Sequence, residues 1–298
     1  MAPLSSLRAL DELSSAGADE FYLGFFDAAW ETIFGPFEEL NRMSSFGHRV
    51  NFAFHSLKQV LKEVHARGKT AFITINSAAY SVQELDFIES YADELAQIGA
   101  DGIILGSVAL LPRLHRYRLP LTISTMGGVY NSDIAAFYRD LGVTRIILPR
   151  DLTLNDIKKI VEKFPELDFE VFLMRNGCKY SDSNCMSFHA RKHGSMCATL
   201  DRAGVVKTSV EADGHYMREV YQNHTLYANA FHRNACGLCS VDYLSKIGIA
   251  SVKIVGRADN PASVCDDIRK VRALIDIPGY SKTAYSENCL YHMNCYYE

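Results

Sequence analysis

The stretch IGADGIILG, residues 98–106, decides the fold of this chain. A glycine ends a helix-like segment, and a short apolar run follows it at once. The same arrangement recurs in AGADEFYLG (16–24), LGVTRIILP (141–149) and IGIASVKIVG (247–256). Helices that lead repeatedly into almost wholly apolar strands are typical of βα units, whose strands are parallel and buried on both faces. The sequence therefore predicts an α/β protein built on a parallel sheet.

Further apolar runs supply the other strands of this sheet. Together with the repeats they give runs at residues 20–25, 70–76, 102–106, 121–125, 145–149 and 169–174. Amphipathic segments lie between them, among them a helix that Ser81 caps and another that Thr153 caps. Because the units are regular and no GxGxxG motif follows the first strand, we expect a TIM-type (β/α) barrel, whether regular, incomplete or distorted, rather than a dinucleotide-binding sheet.

Length and charge exclude several classes of protein. The 298 residues, 48% of them hydrophobic, are enough for one large core. The net charge of −4 gives no basic bias towards nucleic acid or anionic membrane. No apolar run approaches the roughly 20 residues that span a bilayer, and residues 1–21 lack the apolar centre of a signal peptide. We therefore expect a cytoplasmic protein without a membrane span.

Eight cysteines are the most unusual feature of the chain, and none of them precedes Cys178. Because the cytosol keeps thiols reduced, their clustering indicates a metal centre rather than disulfides. Residues 176–241 are polar and rich in Cys and His, with a predicted hairpin at residues 205–216, and they interrupt the βα rhythm. We interpret them as an insertion at the C-terminal face of the strands, within a single barrel domain of residues 1–298.

Cys178 and Cys185 follow directly after the apolar run FEVFLM (169–174). Residues that leave a barrel strand at its C-terminal end lie where barrel active sites are built. Three interpretations are open. The first is a zinc site, for which the two cysteines are widely spaced, and the second is a nucleophilic cysteine with His189 or His193 as its base. The third, an iron–sulfur cluster bound by dispersed thiolates, fits the spacing best.

Several blocks of the sequence resemble the peptidase family U32, the collagenase-like proteases. Glu170, Phe172, Cys178 and Cys185 fit its signature E-x-F-x5-C-x6-C. The blocks SAGADEFYLG, RVNF, RGKTAFITIN, ISTMGGVYNSDIAAFYRDLGVTRIILPRDLTLNDI and GIASVKIVGR are similar to blocks of the family and occur in the same order. From these blocks the chain is identified as a member of the family, with a resemblance that extends over most of its length.

The resemblance implies a 4Fe-4S cluster as cofactor. Its four ligands, carried over position by position, fall on Cys178, Cys185, Cys197 and Cys236. The fourth position is counted back from Lys253, and Cys239 is the alternative to Cys236. A second metal site in the C-terminal tail is a further hypothesis, and its ligands would be Cys239, Cys289 and Cys295.

The chain departs from the family pattern at a few positions. The family has HGALC before its first cluster cysteine, and this chain has Met174 in place of the His, followed by Arg175. The Glu of the family's KIEGR block is Val255, and a Gln of another block is Met126. Because these positions lie at the predicted barrel mouth, we expect a substrate that differs from those of the better-known members.

Polar residues at or just past the strand ends are candidates for binding a small-molecule substrate, because the ligands of a barrel lie at that face. They are Asn51, Asn76, Ser124, Asn131, Arg150 and Arg175. The arginines present a fork of donors that suits a carboxylate or a phosphate. The candidates for catalysis are Arg175, Tyr180 and Arg257. A loop hydrogen bond, a helix cap or an ion pair is the alternative interpretation of each residue.

The resemblance also implies an activity. It points to oxygen-independent hydroxylation, as in ubiquinone biosynthesis and tRNA uridine modification, with prephenate as hydroxyl donor. We expect an iron–sulfur enzyme that transfers or removes a hydroxyl group on a small aromatic or anionic substrate in an anaerobic setting.

Two other functions are open. One is the peptidase activity in the family's name, although no HExxH or GxSxG motif is present. The other is a non-catalytic or electron-transfer subunit that works with a paralogous partner, or the chain forms a homodimer. Members that modify RNA commonly carry further C-terminal domains, whereas this sequence ends near the close of the barrel. We therefore expect nucleic acid not to be a partner.

Overall fold

The apolar runs of the sequence form a single parallel sheet. The computed structural model describes residues 1–35, 38–44, 49–178, 181–183, 185, 235–277 and 295–297. The strands of this part of the chain are β1 (Ala2–Pro3), β2 (Glu20–Phe26), β3 (Asn51–Ala53), β4 (Thr70–Ile75), β5 (Gly102–Leu105), β6 (Leu121–Ile123), β7 (Arg145–Ile147), β8 (Asp168–Met174) and β9 (Ser251–Ile254). Every pairing between them is parallel.

The first residues of the chain close this sheet into a ring. Neighbouring strands follow the order β1-β2-β4-β5-β6-β7-β8-β9, and β3 pairs with β2 alone. On one side of β1, Leu4 N–H donates to the carbonyl of Tyr22 at 3.0 Å. On the other side, the Met1 carbonyl accepts from Ile254 N–H at 3.0 Å, and the Met1 amino group donates to the Val252 carbonyl at 2.7 Å. The first and last strands therefore meet, and the predicted (β/α) barrel is confirmed.

Helices separate most of the strands. They are α1 (Leu10–Ser15), α2 (Ala28–Phe34), α3 (Leu57–His65), α4 (Val82–Gln97), α5 (Leu111–Leu114), α6 (Ser132–Asp140), α7 (Leu154–Val161), α8 (Val241–Lys246) and α9 (Pro261–Asp276). The predicted caps are confirmed: Ser81 and Glu84 form a reciprocal capping box at α4, and Thr153 accepts from Asp156 N–H at α7. No helix in the described part of the chain is both long and apolar enough to cross a membrane.

Burial on both faces explains the apolar strands. Successive residues of a strand point to opposite faces of the sheet. All residues from Phe21 to Phe25 of β2 are nevertheless buried, as are all residues from Phe169 to Met174 of β8. One face of each strand therefore packs inside the barrel and the other packs under the helices, which is why these runs show no polar alternation.

A pair of oppositely charged residues lies within this apolar interior. Glu170 of β8 is fully buried, and Lys253 of β9 is 5% exposed. The ammonium of Lys253 donates to Glu170 Oε1 at 2.7 Å and lies 4.1 Å from the ring centre of Tyr22. Burial lowers the pKa of Lys253, although the charge of Glu170 opposes that shift. The two motif residues that the family resemblance singled out, Glu170 and Lys253, thus bind each other across neighbouring strands.

Several sequence-based predictions lie outside the described residues. They concern the hairpin at residues 205–216, Tyr180, His189, His193, Cys197 and Cys289. The description of residues 176–241 as one insertion within one domain stays a prediction for the same reason.

We expect Lys253→Met to lower the free energy of unfolding by about 3–5 kcal/mol, because it leaves the carboxylate of Glu170 buried without its closest cation. Urea unfolding of the full chain measures this change. The double variant Lys253→Met, Glu170→Leu should recover much of the loss, since it removes both charges together.

The matched control is Arg269→Met, which removes a cation from an exposed pair with Asp266. Such pairs contribute little to stability, so this variant should unfold like the wild type. A loss at Lys253→Met as small as that of the control would contradict a stabilising role for the buried pair.

Candidate functional site

The chain makes an unusual turn where β8 ends. Arg175 and Asn176 have positive φ angles of 61° and 47°, a left-handed conformation that costs free energy for a residue with a side chain. Contacts hold this turn in place: Arg175 N–H donates to the Ala235 carbonyl at 2.7 Å, and the Tyr296 hydroxyl donates to the Arg175 carbonyl. Hydrogen bonds with Ala235 and Tyr296 therefore fix the turn through which the chain passes from β8 to Cys178.

The guanidinium of Arg175 points to α9. Its Nε donates to the carboxylate of Asp267, and its Nη2 lies 3.3 Å from the second oxygen. Asp267 is 1% exposed, and the hydrogen bond to it raises the pKa of Arg175 above its usual value. The observed contact is thus an ion pair with a buried acid, and a role of Arg175 in substrate binding or catalysis stays a prediction.

Cys236 lies against the end of β8. It forms an antiparallel bridge with Met174 and a parallel bridge with Cys295. Gly237 N–H donates to the carbonyl of Leu173 at 2.8 Å, and Tyr296 N–H donates to the carbonyl of Cys236 at 3.0 Å. Three separate pieces of the chain thus run side by side at the strand end from which Cys178 departs.

Cys185 contacts the opposite side of the barrel mouth. Arg42, which lies between α2 and β3, donates from Nη2 to Cys185 Sγ at 3.1 Å. The backbone N–H of Arg42 donates to Asn76 Oδ1 at 3.1 Å, and Asn76 directly follows β4. The predicted substrate ligand Asn76 therefore holds the segment that reaches Cys185.

The cysteines predicted to bind a cluster are described in part. The side chains of Cys178, Cys185 and Cys236 are half-buried, and Cys197 lies outside the described residues. Within the described ranges, no three His, Cys, Asp or Glu side chains are grouped so that they could hold a metal ion. Cys239 lies in a short turn before α8, with Sγ 4.0 Å from Ser240 Oγ. The ligand set stays a prediction.

Tyr130 docks residues 181–183, which lie between Cys178 and Cys185, on the barrel. Its hydroxyl lies 3.0 Å from Ser183 Oγ, 3.0 Å from a carboxylate oxygen of Asp151, and in contact with Ser181. Gly128, with φ +62°, makes room for this segment, because a Cβ there would lie 3.0 Å from Ser183 Cβ. The loops after β6 and β7 thus bind residues 181–183.

Arg150 also binds this segment. Its Nη1 donates to the carbonyl of Asn176 at 2.6 Å, and its Nε lies 3.2 Å from Asp182 Oδ2. The guanidinium stacks on Phe172 of β8, with 4.0 Å between its central carbon and the ring centre. Arg150 therefore binds the segment that carries Cys178 and Cys185. Its predicted contact with a substrate stays a prediction.

Arg257 carries a buried charge inside the mouth of the barrel. It is 6% exposed, and its Nη1 donates to Asn51 Oδ1 at 3.4 Å and Thr74 Oγ1 at 3.3 Å. Its Nη2 donates to Asn41 Oδ1 at 3.4 Å. All three acceptors are neutral, and no carboxylate in the described part of the chain forms an ion pair with it. Burial lowers the pKa of Arg257 to about 10, so that it stays charged at neutral pH.

Gly24 of β2 provides the space for this side chain. A Cβ at Gly24 would lie 2.3 Å from Arg257 Nη1 and 2.3 Å from Asn51 Oδ1. A larger residue at this position would displace the guanidinium. The glycine that ends the first strand repeat is therefore a packing requirement of the site.

Two other predicted substrate ligands have local contacts. Ser124 Oγ accepts from Met126 N–H at 3.3 Å. Asn131 Oδ1 caps α6 by accepting from the N–H groups of Asp133 and Ile134 at 3.0 Å each. The contacts are a loop hydrogen bond for Ser124 and a helix cap for Asn131, as in the alternative interpretation of these residues. A role in substrate binding stays a prediction for both.

Asn41, Arg42, Tyr130 and Asp267 contribute to the site and were not predicted from the sequence. Arg42 lies in a short polar segment without periodicity, and it is 143 residues away from its partner Cys185. Asp267 lies on the buried face of a helix, where an acid is unusual. That burial is visible from helical spacing, and it is the one signal that could have pointed to a buried partner.

Comparison with known proteins agrees with the resemblance of the sequence blocks. The family model described as "Peptidase family U32" matches residues 5–293. A tRNA hydroxylation protein P of Helicobacter pylori is 25% identical over 285 residues, which cover 93% of this chain and 64% of that protein. A 23S rRNA 5-hydroxycytidine synthase of Escherichia coli is 26% identical over 267 residues, which cover 87% of this chain and 36% of that protein. This chain thus spans less than two thirds of the length of these relatives.

A solved structure has a similar fold. A chain of tryptophan synthase from M. tuberculosis, in a ligand-free form, aligns with a TM-score of 0.50 and 10% identity. The alignment covers 93% of this chain and 92% of that one. At this identity the likeness supports the barrel fold alone.

We expect Tyr130→Phe to loosen the segment of residues 181–185 without unfolding the barrel. The variant loses the hydrogen bonds of one hydroxyl, which together contribute about 1 kcal/mol. Hydrogen–deuterium exchange of the peptide that contains residues 181–185 should therefore become faster. Tyr117→Phe is the control, since the hydroxyl of Tyr117 contacts only the exposed Arg116 among the described residues. Equal exchange in both variants would contradict the docking role of Tyr130.

Proposed function

The chain belongs to peptidase family U32, and from this premise we propose that it is an iron–sulfur enzyme of oxygen-independent hydroxylation. The observation that carries the proposal is the arrangement of Cys178, Cys185 and Cys236 at the C-terminal face of a (β/α) barrel, where barrel enzymes build their active sites. A cytoplasmic location and an anaerobic setting belong to the same proposal.

The proposed cluster would be held by Cys178, Cys185, Cys197 and Cys236. The donor chemistry of the described thiols fits a cluster, because thiolates are its ligands and cations lie close to them. Arg42 donates to Cys185, and Arg150 donates to the carbonyl of Asn176, two residues before Cys178. When bound, the cluster would supply electron transfer or Lewis-acid chemistry.

Arg257 is the residue that we propose holds the anionic group of the substrate. A buried cation without a buried acid is costly, and an anionic ligand would compensate it. Its Nη1 and Nη2 already donate to three neutral oxygens. In the described structure no residue accepts a hydrogen bond from Nε, which lies on the same edge of the guanidinium as Nη2. This edge is the fork that binds a carboxylate or a phosphate through two parallel hydrogen bonds.

Two asparagines orient this arginine. The amide of Asn41 donates to the carbonyl of Phe25 at 3.1 Å, and the amide of Asn51 donates to the carbonyl of Met43 at 3.0 Å. Each asparagine must therefore turn its oxygen to the guanidinium of Arg257. Asn51 would therefore position Arg257, and its predicted contact with a substrate stays a prediction.

The acceptor of the hydroxyl group is proposed to be a small organic anion. RNA is the second candidate, because the relatives are named for tRNA and rRNA modification. The expectation that nucleic acid is not a partner receives no support from these relatives. Mass spectrometry of both small-molecule and RNA products after an anaerobic reaction separates the two candidates.

Anaerobic reconstitution with iron and sulfide tests the cofactor. We expect a brown protein with about four iron and four sulfide per chain. Cys178→Ala, Cys185→Ala and Cys236→Ala should each lose most of the iron and the visible absorption. A wild-type chain that stays colourless would sink the proposal.

Two other cysteines serve as controls for this experiment. Cys265 is 2% exposed on α9, and Cys265→Ala should keep the full iron content. Cys239→Ala should also keep it. Iron loss in Cys239→Ala together with retention in Cys236→Ala would move the fourth ligand to Cys239.

We expect Arg257→Gln to keep the cluster and to lose at least about 100-fold in hydroxylation, because charge-assisted hydrogen bonds to an anion contribute about 3 kcal/mol. The measurement compares product formation per chain at equal iron content. Arg269→Gln, on the outer surface, is the matched control. Full activity in Arg257→Gln would contradict an anion-binding role.

A further inference from the structure

We propose that Arg42 is a positioning residue for the metal ligand Cys185, and that its charge tunes the cluster. This inference rests on the proposed function, since it assigns a role towards the same cluster. Its basis is the contact of 3.1 Å between Arg42 Nη2 and Cys185 Sγ. Nothing in the local sequence of either residue indicates this contact.

Arg42 is held at its backbone and at its side chain. The backbone N–H donates to Asn76 Oδ1 at 3.1 Å, and Nη1 of the guanidinium lies 3.6 Å from Glu39 Oε2. The side chains of Arg42 and Glu39 are 14% and 5% exposed. A long side chain that is held in this way loses little further freedom when it contacts a sulfur, so that the contact is well defined.

The position of Cys185 is also fixed from outside its own segment. Cys185 N–H donates to the carbonyl of Asp182 at 3.2 Å. Asp182 in turn lies next to Arg150, and the neighbouring Ser183 binds Tyr130. Both partners of the contact between Arg42 and Cys185 are therefore placed by the barrel, and the contact does not depend on the segment alone.

A hydrogen bond and a positive charge at a ligand sulfur change the electron affinity of a cluster. The reduced cluster carries one more negative charge than the oxidised cluster, and a nearby cation therefore stabilises the reduced form. Arg42 should raise the reduction potential, and it should also hold the thiolate of Cys185 in its place. Glu39 lies on the other side of the guanidinium, and its negative charge should have the opposite effect on the potential.

The test uses the full chain after anaerobic reconstitution, and it measures iron per chain and the midpoint potential by a redox titration followed by electron paramagnetic resonance. In Arg42→Gln we expect the ratio of reduced to oxidised cluster at a fixed potential to fall about tenfold, which is a downward shift of about 59 mV for one electron. Iron should also be lost faster in air. Arg42→Lys keeps the charge and should recover part of the shift.

Two more variants keep the test decisive. Glu39→Gln should shift the potential upwards, and this result decides the matter if Arg42→Gln does not fold. Arg118→Gln is the matched control, since Arg118 is exposed and precedes β6, at the other end of the barrel. It should behave as the wild type.

The failures of the two proposals are distinguishable. A wild-type chain without a cluster overturns both of them. A wild-type chain with a cluster, together with an unchanged potential in Arg42→Gln or in Glu39→Gln, overturns the role of Arg42 and leaves the proposed function standing. A merely structural role of Arg42 would not produce shifts of opposite sign in the two variants.

Discussion

Closure of the parallel sheet is the constraint on which the rest of this structure depends. Met1 and β1 bind β2 on one side and β9 on the other, so that strands from the two ends of the described barrel become neighbours. Lys253 of β9 can then lie on the ring of Tyr22 of β2 and bind Glu170 of β8. A closed sheet has no free edge, and its interior must be filled by side chains.

Closure also gathers the strand ends, and the site follows from that. Arg257 after β9 reaches Asn51 of β3 and Thr74 of β4. In an open sheet with this strand order, β9 would lie far from both of these strands. Loops that follow several strands bind the segment that carries Cys178 and Cys185. The left-handed turn at Arg175 and Asn176 persists because Ala235 and Tyr296 hold it by hydrogen bonds.

The sequence predicted the frame of the fold well, because local rules govern it. The glycine-then-strand repeat marked four of the strands, and apolar runs marked the others from β4 to β8. Ser81 and Thr153 were recognisable as caps, since capping needs only a side chain and the next turn of the same helix. The sequence did not reveal β1 or β3, which are too short to have a periodicity and depend on their pairing with β2.

For the site, the sequence by itself determined which residues carry chemistry: the late cysteines, the arginines at strand ends, and the family to which they belong. Only the tertiary structure decided their partners. In the folded chain Arg175 pairs with the buried Asp267, and Arg150 donates to the carbonyl of Asn176. Arg257 donates to neutral oxygens. The tertiary structure also brought Arg42 to Cys185 across 143 residues. The physical reason is that residue type and spacing act within a few turns of chain, whereas a contact between loops depends on how the whole ring closes.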